Sequence, residues 1–483
     1  MSQLVRCRNR LRYDKGGNVR GLGAVMLKKT KIVCTVGPAS ISKQMISKMF
    51  QAGMNSIRIN TAYGNLDQYR SIVENVRKVA DIPIIVDIKG PEIRIRTSQR
   101  KVVSKGDILE IGFDEEISFN HDFYDKMKLD DEIYIDNGKI RSRVIEKKGG
   151  KLCIVTLNGG VIENGNGVNI PNKRLSVPTF LEKDVKIIQF AKAFDVEYIA
   201  LSFTRNAEDV SNLSQTNGFR GGIIAKIENS EGVQNAAEIL DACNGIMVAR
   251  GDLGVEIEPE KVPLVQKSLI KLCNQKGKLV VTATEMLESM IHQPNPTRAE
   301  VSDVANAILD GSDAVMLSGE TAVGQYPLEA VNMMSRIANE TEKAVKSNVE
   351  DAPFINISDT ISKAVQRICQ SMPVHKVVPL TRSGYTARMI ARFKIPQPII
   401  AVTPEKEVKK QLELIFGVYP VRINYREAKD RILVVTNQLH EMGLINDEET
   451  VLFTEGVRTT MKHASNLIEI QKISELRKYA SAE

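Results

Sequence analysis

Eight short apolar runs recur along the first two thirds of the chain, and most precede a segment whose apolar residues repeat every three to four positions. The runs are KIVCTV (31–36), SIRIN (56–60), IIVDI (84–88), YIALSF (198–203), IIAKI (223–227), IMVAR (246–250), LVVTAT (279–284) and AVMLSG (314–319). Runs of this kind predict buried strands, and the longer repeat predicts amphipathic helices. Alternating strands and helices predict a (β/α)8, or TIM, barrel. A doubly wound open sheet is the alternative, and the count of eight favours closure.

The alternation is interrupted after the third run. Residues 96–176 lose the helical repeat and contain short strand-like runs, with hairpin signals at Asn137–Gly138 and Gly149–Gly150. We therefore predict a small β domain over 96–176, inserted at the ligand-facing end of the barrel, where it can close as a lid. The catalytic barrel then comprises residues 26–95 and 177–350.

Beyond the barrel, the segment SNVEDAPFINIS reads as a linker, and residues 356–483 predict a second α/β domain. Its predicted strands are HKVVPLT (375–381), PIIAVT (398–403), RILVVT (431–436) and TVLFT (450–454). With 483 residues the chain is long enough for about two or three domains.

Composition is that of a globular protein, with 42% hydrophobic and 26% charged residues. No apolar run reaches the length of a membrane span, so we expect a soluble, cytoplasmic protein. The six cysteines and five histidines are scattered without metal-like spacing. Reduced thiols are therefore expected in place of a disulfide framework, and a zinc site is disfavoured.

The net charge of +7 comes mainly from the N-terminus, because residues 1–25 contain six basic side chains and one aspartate. The rest of the chain is nearly neutral and has no basic patch interleaved with aromatic residues, which argues against nucleic-acid binding. A transit peptide is one interpretation of residues 1–25. A basic extension, or translation from a start upstream of Met26, is favoured because the segment has one serine and no apolar face.

Polar residues collect where five of the apolar runs end. They are Arg58 and Asn60, Asp87, Lys226 and Glu228, Arg250 to Asp252, and Thr284. Catalytic groups of (β/α)8 barrels lie at the carboxyl ends of the strands. Carboxylates and cations gathered there suit Mg²⁺ and a phosphorylated substrate. The alternative for each residue alone is a strand-end cap or a solvated ion pair.

Several motifs resemble signatures of the pyruvate kinase family, in that family's order over residues 30–330. They are KIVCTVGPAS, RIN, DIKGPEIR, NGGVIENGNGVNIPN, AKIEN, MVARGDLGVEI, TATEMLESM, PTRAEVSDVANAILDGSDAVMLSGETA and YPLEAV. Residues 355–483 resemble the family's C-terminal domain more loosely. The resemblance implies phosphoryl transfer from phosphoenolpyruvate to ADP, giving pyruvate and ATP, by a typically tetrameric enzyme.

For the phosphoenolpyruvate half of the site, the resemblance implies that Glu228 and Asp252 bind Mg²⁺ or Mn²⁺. Lys226 would stabilise charge on the phosphoryl group and the enolate oxygen. Arg58 would hold the phosphate, and Thr284 would position the proton donor. The remaining implied substrate contacts are the backbone of Gly251 and Asp252.

For the nucleotide half, the resemblance implies contacts from Asn60, Tyr63 and Arg94, since the chain has no P-loop motif. K⁺ would be bound by Asn60, Asp87 and the carbonyl of Ile88. The chain departs from the common pattern at Ala62, Tyr63, Asn166 and Glu285, where serine, histidine, lysine and glutamine are usual. Lys173 or Arg174 would have to replace the missing lid charge.

The loop Thr381–Arg382–Ser383–Gly384–Tyr385–Thr386 resembles the family's binding loop for the phosphate of an allosteric effector. Thr381, Ser383, Gly384 and Thr386 are the implied contacts, and an ordinary helix cap is the alternative. Two other functions stay open at this point. One is a Mg²⁺-dependent barrel lyase or mutase acting on phosphoenolpyruvate or pyruvate, and the other is a non-catalytic metabolite sensor.

Overall fold

The computed structural model describes residues 12–13, 19–20, 28–90, 93–113, 116–136, 138–171, 173, 179–216, 218–346, 356–456 and 465–480. The chain divides into two compact units. The first unit comprises Met1–Val86, Phe194–Ile199 and Ile270–Glu483, and the second comprises Asp87–Ala193 and Ala200–Leu269. The domain boundaries given above stay predictions.

Eight strands form a closed parallel barrel in the order β15-β16-β17-β18-β19-β3-β4-β5. They are β3 Lys31–Thr35, β4 Ser56–Asn60, β5 Ile84–Ile88, β15 Tyr198–Leu201, β16 Gly222–Ile227, β17 Gly245–Ala249, β18 Leu279–Ala283 and β19 Ala314–Leu317. Every residue of these strands is buried except Asn60. Strands buried on both faces read as continuous apolar runs, which is why the sequence located all eight. The barrel prediction is confirmed, and the open-sheet alternative is wrong.

Helices follow or precede these strands. They are α1 Lys43–Gln51, α2 Leu66–Val79, α3 Glu182–Ala193, α4 Ala207–Thr216, α5 Ser230–Gln234, α6 Ala236–Ala242, α7 Arg250–Glu256, α8 Val262–Lys276, α9 Arg298–Leu309, α10 Gly319–Ala322 and α11 Pro327–Thr341, with short 3-10 turns at Pro259–Lys261, Glu288–Ile291 and Glu342–Ala344. Reciprocal side-chain caps start α2, at Asn65 and Gln68, and α9, at Thr297 and Glu300. In the described part of the chain, no helix is both long and apolar enough to cross a membrane.

The interruption after the third barrel strand is a separate antiparallel sheet with its own apolar core. Its strands, in the order β8-β12-β11-β10-β14-β6-β9, are β6 Ile93–Thr97, β8 Ile108–Ile111, β9 Ile117–Phe119, β10 Glu132–Ile135, β11 Ile140–Lys148, β12 Lys151–Thr156 and β14 Gly167–Asn169, with a 3-10 turn at Tyr124–Lys126. The strands β7 Lys101–Val103 and β13 Gly160–Ile162 pair as a separate two-stranded sheet. Gly149 and Gly150, with φ of 58° and 77°, form the predicted turn between β11 and β12. Gly138, at φ 80°, lies between β10 and β11, whereas Asn137 lies outside the described residues. We refer to these two sheets together as the lid.

The C-terminal α/β domain is built on a sheet in the order β22-β21-β20-β23-β24. Its elements are β20 Lys376–Pro379, β21 Ile399–Thr403, β22 Val418–Arg422, β23 Thr450–Glu455 and β24 Leu467–Lys472, and α12 Ile357–Ser371, α13 Tyr385–Ala391, α14 Lys406–Leu412, α15 Arg431–Glu441 and α16 Ile473–Ala480. Two short strands, β1 Arg12–Tyr13 and β2 Val19–Arg20, pair near the N-terminus.

One predicted strand of this domain is wrong, because RILVVT begins the helix α15. Asp430 caps the helix by accepting a hydrogen bond from the Leu433 amide at 2.9 Å. The buried residues of α15, Ile432, Val435, Thr436 and Leu439, repeat at helical spacing. Sequence reasoning missed two strands of this domain, β22 and β24, which lie at the two edges of the sheet. β22 contains Pro420, which is tolerated in an edge strand.

Within the first unit, buried cations of the C-terminal domain pair with carboxylates that precede barrel strands. Lys394 Nζ lies 2.6 Å from Asp313 Oδ1, and Lys410 Nζ lies 2.8 Å from Glu197 Oε1. Asp313 directly precedes β19, and Glu197 directly precedes β15. These four residues form what we call the basal ion-pair layer, at the amino ends of the strands. The predicted site residues lie at the opposite, carboxyl ends.

Candidate active site

The centre of the candidate site is the ammonium group of Lys226, in β16. Its Nζ donates a hydrogen bond to Ser202 Oγ at 2.7 Å and lies 2.8 Å from Glu228 Oε1 and 3.3 Å from Asp87 Oδ1. Lys226 is 8% exposed and Glu228 fully buried. A buried lysine is thus held between two carboxylates and a hydroxyl, all in the second unit.

The turn that follows β15 holds the carboxylates of Asp87 and Glu228 in place through Ser202 and Phe203. Ser202 Oγ donates to Asp87 Oδ1 at 3.1 Å while it accepts from Lys226. The backbone N–H of Phe203 donates to Glu228 Oε2 at 2.7 Å. Phe203 has φ of 53°, a left-handed conformation that is strained for a bulky residue. Sequence analysis assigned Ser202 and Phe203 to the strand itself, and nothing in the residue pattern marks the reversal.

The electrostatics of Glu228 favour a cation in addition to Lys226. Burial raises the pKa of the Glu228 carboxyl, Lys226 opposes that change, and the nearby Asp252 carboxylate raises the pKa further. Glu228 Oε1 is buried and has no hydrogen bond of regular geometry, although the lysine is close. A divalent cation between Glu228 and Asp252 would offset this repulsion.

These residues fit Mg²⁺ by their chemistry. Among the described residues, no group of three or more His, Cys, Asp or Glu side chains is arranged to hold a metal. Mg²⁺, however, is commonly bound through one or two carboxylates, with waters and substrate oxygens completing its shell. Two carboxylates near a buried lysine therefore meet the requirement without a protein cage.

Helix α7 carries the second carboxylate. The predicted strand-end residue Arg250 is the first residue of this helix, which places Gly251 and Asp252 in its first turn. Arg250 Nη1 donates to Gln266 Oε1 of α8 at 3.4 Å. The last residue, Glu256, accepts a 2.8 Å hydrogen bond from Asn169 Nδ2 at the end of lid strand β14. Sequence reasoning did not anticipate this link between the lid and α7.

Burial raises the pKa of Glu256, the Asn169 hydrogen bond opposes that rise, and the Asp252 carboxylate adds to it. The hydrogen bond from Asn169 thus joins the lid to the helix that carries Asp252. Its acceptor, the Glu256 carboxylate, is poorly solvated. Any displacement of β14 that breaks this bond leaves the Glu256 carboxylate without its Asn169 donor.

Four predicted contacts with substrate, nucleotide or cation lie in the first unit: Arg58, Asn60, Tyr63 and Thr284. Arg58, 8% exposed in β4, donates from Nη1 to Thr35 Oγ1 at 3.1 Å. Asn60 ends the same strand, and its Oδ1 accepts from the amide of Ala62 at 3.1 Å. Tyr63 is 79% exposed, so its ring is open to solvent where the family usually has histidine.

Thr284 follows β18 and belongs to a strained turn. Thr284 and Glu285 have φ of 66° and 53°, so two consecutive non-glycine residues are left-handed. This conformation is a genuine outlier for β-branched threonine and is found mainly where function requires it. The Thr284 hydroxyl donates to the Ala283 carbonyl at 2.7 Å. Strand β18 therefore ends one residue earlier than predicted.

The lid residues expected near the nucleotide have partners within the lid. The Arg94 guanidinium donates to the carbonyl of Gly165. Asn166 Oδ1 accepts from the Glu163 amide at 2.5 Å, which closes the same turn. Lys173 Nζ lies 2.7 Å from Asp131 Oδ2, and Arg174 lies outside the described residues.

The predicted effector loop forms the start of α13. Gly384 has φ of 76°, and its amide donates to Thr381 Oγ1 at 3.0 Å. Ser383 Oγ accepts from the Tyr385 amide at 3.4 Å, and Thr386 Oγ1 shares a 2.7 Å hydrogen bond with Ser465 Oγ. The N-cap of α13 is Gly384, which has no side chain to cap the helix, so the hydroxyls of this loop bond within the loop and to Ser465.

Comparisons with known proteins agree with this architecture. The family model described as "Pyruvate kinase, barrel domain" matches residues 27–331, and "Pyruvate kinase, alpha/beta domain" matches residues 359–471. The chain is 41% identical over 479 residues to pyruvate kinase of Geobacillus stearothermophilus, covering 93% of this chain and 81% of that protein. It is 42% identical over 478 residues to the Sporosarcina psychrophila enzyme, with the same coverage. The chain belongs to the pyruvate kinase family.

Proposed function

We propose that this protein transfers the phosphoryl group of phosphoenolpyruvate to ADP, giving pyruvate and ATP in glycolysis. The observation that carries this proposal is the buried cluster of Lys226, Glu228, Asp87 and Ser202 at the strand ends of a family-type barrel. Phosphoryl transfer depends on positioning and charge neutralisation more than on covalent catalysis. A buried ammonium fixed by three oxygen-bearing side chains meets that requirement.

In this reaction Lys226 stabilises the charge that develops on the phosphoryl group and on the enolate oxygen. Ser202 and Asp87 fix its ammonium, so little reorganisation is needed during the transfer. Arg58 holds the substrate phosphate, and the backbone at Gly251 approaches the substrate carboxylate where no side chain intervenes. Thr284 positions the proton donor for the enolate.

Glu228 and Asp252 are the residues that would hold Mg²⁺, with Mn²⁺ as a substitute. The ion supplies Lewis-acid polarisation and a template for the substrate oxygens. The chain orients this pair through the Phe203 amide, which fixes one Glu228 oxygen at 2.7 Å. The Asn169–Glu256 bond steadies α7, which carries Asp252.

The nucleotide half of the proposal involves Asn60, Tyr63 and Arg94. Arg94 is bound to its own lid turn at Gly165, so contacting nucleotide phosphates requires it to exchange that carbonyl for phosphate oxygens. Lys173, the substitute for the missing lid lysine at Asn166, would likewise have to leave Asp131. We therefore expect ADP to bind less tightly than to relatives with the lid lysine.

A phosphorylated metabolite is the proposed allosteric effector, bound by Thr381, Ser383, Gly384 and Thr386. Support comes from the resemblance of this loop to the family's phosphate loop and from its position between a strand and a helix. The Thr386–Ser465 hydrogen bond would have to open for the hydroxyl to reach a phosphate. A homotetramer in the cytoplasm is proposed on the same family grounds.

A monovalent-cation requirement follows from the proposed K⁺ site at Asn60, Asp87 and the Ile88 carbonyl. Because Ala62 replaces the serine ligand, K⁺ should activate with weaker apparent affinity than in serine-bearing relatives, and Ala62→Ser should improve that affinity severalfold. Initial rates at saturating Mg²⁺, in KCl against tetramethylammonium chloride at equal ionic strength, measure the effect. Full activity without any alkali cation would refute the requirement. Glu92, where K⁺-independent relatives usually have lysine, lies outside the described residues.

The activity itself is tested by following pyruvate formation from phosphoenolpyruvate with and without ADP. The proposal expects strict dependence on ADP and on Mg²⁺, with one ATP formed per pyruvate. Pyruvate formed without ADP would favour the lyase or mutase alternative. Absence of turnover with retained phosphoenolpyruvate binding would favour the sensor.

A further inference from the structure

We propose that the carboxylate of Asp184 is the pivot of the lid, holding the two chain segments that connect the lid to the barrel. The outgoing segment follows β5 and includes Lys89 and Gly90, and the returning segment includes Leu181. All the residues that form the pivot lie in the second unit. The effect of the pivot on catalysis rests on the proposed function, in which the lid supplies Arg94 to the nucleotide.

Asp184 gathers backbone donors from both segments. It lies in the first turn of α3 and is 1% exposed. Its Oδ2 accepts from the Leu181 amide at 2.9 Å, and the backbone amides of Lys89 and Gly90 also donate to the carboxylate. Residues separated by more than ninety positions are thereby bonded to one side chain.

Each of the two connecting segments also contacts neighbouring residues near Asp184. Gly90 has φ of 64°, and a Cβ there would lie 3.1 Å from the carbonyl oxygen of Ser202, so the outgoing segment passes close to the turn after β15. On the returning side, Thr179 Oγ1 donates to Asp209 Oδ1 at 2.8 Å. Both segments are therefore anchored on the barrel side of the lid.

The three backbone donors favour the ionised carboxylate at this position, whereas burial disfavours it. Burial raises the pKa of Asp184, and the three backbone amides oppose that rise. Hydrogen bonds to a charged acceptor are about twice as strong as neutral ones. An asparagine would keep the shape but offer one acceptor oxygen, and its amide N–H groups would face backbone donors.

The pivot also lies next to the catalytic cluster along the chain. Lys89 and Gly90 directly follow Asp87 and Ile88, and Asp87 contacts the ammonium of Lys226. A fixed point at Lys89 and Gly90 lets the lid move while Asp87 stays in place. Asp184 is thus a positioning residue, since it touches no reacting group.

The test compares hydrogen exchange in wild type, Asp184→Asn, Asp184→Ala and Glu182→Gln. Glu182 is the matched control, because it lies in the same first helical turn and its side chain is 86% exposed. The Asp184 variants should exchange the amides of Lys89, Gly90 and Leu181 about 10- to 100-fold faster, the scale expected for losing hydrogen bonds to a charged group. The control should match wild type.

Kinetics supply the second readout. The Asp184 variants should raise KM for ADP severalfold while KM for phosphoenolpyruvate and the Mg²⁺ titration stay within about twofold, as a lid defect requires. Circular dichroism establishes whether each variant is folded. If Asp184→Ala is unfolded, the comparison rests on Asp184→Asn alone.

Unchanged exchange at these three amides would overturn the proposal. So would faster exchange throughout the barrel strands, or an unfolded Asp184→Asn, because Asp184 would then be an ordinary core residue. Failure of wild type to form pyruvate from phosphoenolpyruvate in the presence of ADP would refute the proposed function, whereas the exchange data would still test the pivot.

Discussion

Lys226→Met is expected to lower kcat by about 10²–10³-fold or more, the usual scale for losing one electrostatic stabiliser. Methionine keeps the apolar stem of the side chain but removes the ammonium that lies within 3.3 Å of Asp87, Ser202 and Glu228. Asp87 keeps its hydrogen bond from Ser202, and Glu228 keeps the Phe203 amide, so the fold should persist. Steady-state rates at saturating substrate and Mg²⁺ give the measurement.

Ser202→Ala is the matched control, since it removes one partner of the ammonium and leaves both carboxylates. Ser202→Ala loses two hydrogen bonds, one from Lys226 and one to Asp87. At about 1 kcal/mol each, their loss predicts a decrease in kcat of about thirtyfold or less. Near wild-type turnover in Lys226→Met would remove Lys226 from the catalytic assignment. Equal losses in Lys226→Met and Ser202→Ala would mean that the geometry of the cluster matters and the positive charge does not.

Lys394→Met should lower the free energy of unfolding by about 3–5 kcal/mol, because it leaves the Asp313 carboxylate buried without its cation. Lys394 and Asp313 are 5% and 4% exposed and lie 2.6 Å apart. Asp313 also accepts from the amides of Val280 and Phe416, which bind it in the interior after the lysine is lost. Urea unfolding followed by circular dichroism measures the change.

An exposed pair of equal length serves as the control. Lys343 Nζ lies 2.6 Å from Glu340 Oε2, but both side chains are more than half exposed, so Lys343→Met should cost less than about 1 kcal/mol. Adding Asp313→Asn to Lys394→Met should restore part of the loss, since the uncompensated charge is gone. Similar costs for Lys394→Met and Lys343→Met would show that burial does not strengthen the basal ion-pair layer.

Sequence patterns located the barrel because its strands are buried on both faces and therefore read as continuous β-branched runs. They also placed Lys226 and Glu228 at the end of β16, since strand ends in such a barrel are defined by where the apolar run stops. Asp252, predicted at the end of the next strand, lies in the first turn of α7. The helix α15 was misassigned because a six-residue apolar run does not by itself distinguish a strand from a helix. Its cap, Asp430, was the available signal.

The parts of the site that the sequence did not reveal depend on backbone geometry and on distant pairing. Phe203 is an aromatic residue at φ 53°, and residue type alone argues against that conformation. The Asn169–Glu256 and Asp184–Lys89 hydrogen bonds join residues far apart in sequence, and no periodicity encodes them. Such contacts become visible only when the chain is folded.

The left-handed residues Phe203, Thr284 and Glu285 also affect how this enzyme can be engineered for heat resistance. Each conformation costs on the order of 1–3 kcal/mol, so a glycine there would relax the backbone and would be retained in a screen that rewards only stability. The same glycine would loosen the amide that orients Glu228, or remove the Thr284 hydroxyl that we propose positions the proton donor. Stability and turnover therefore oppose each other at these turns, and thermostable variants should be sought in the lid core and the basal ion-pair layer instead.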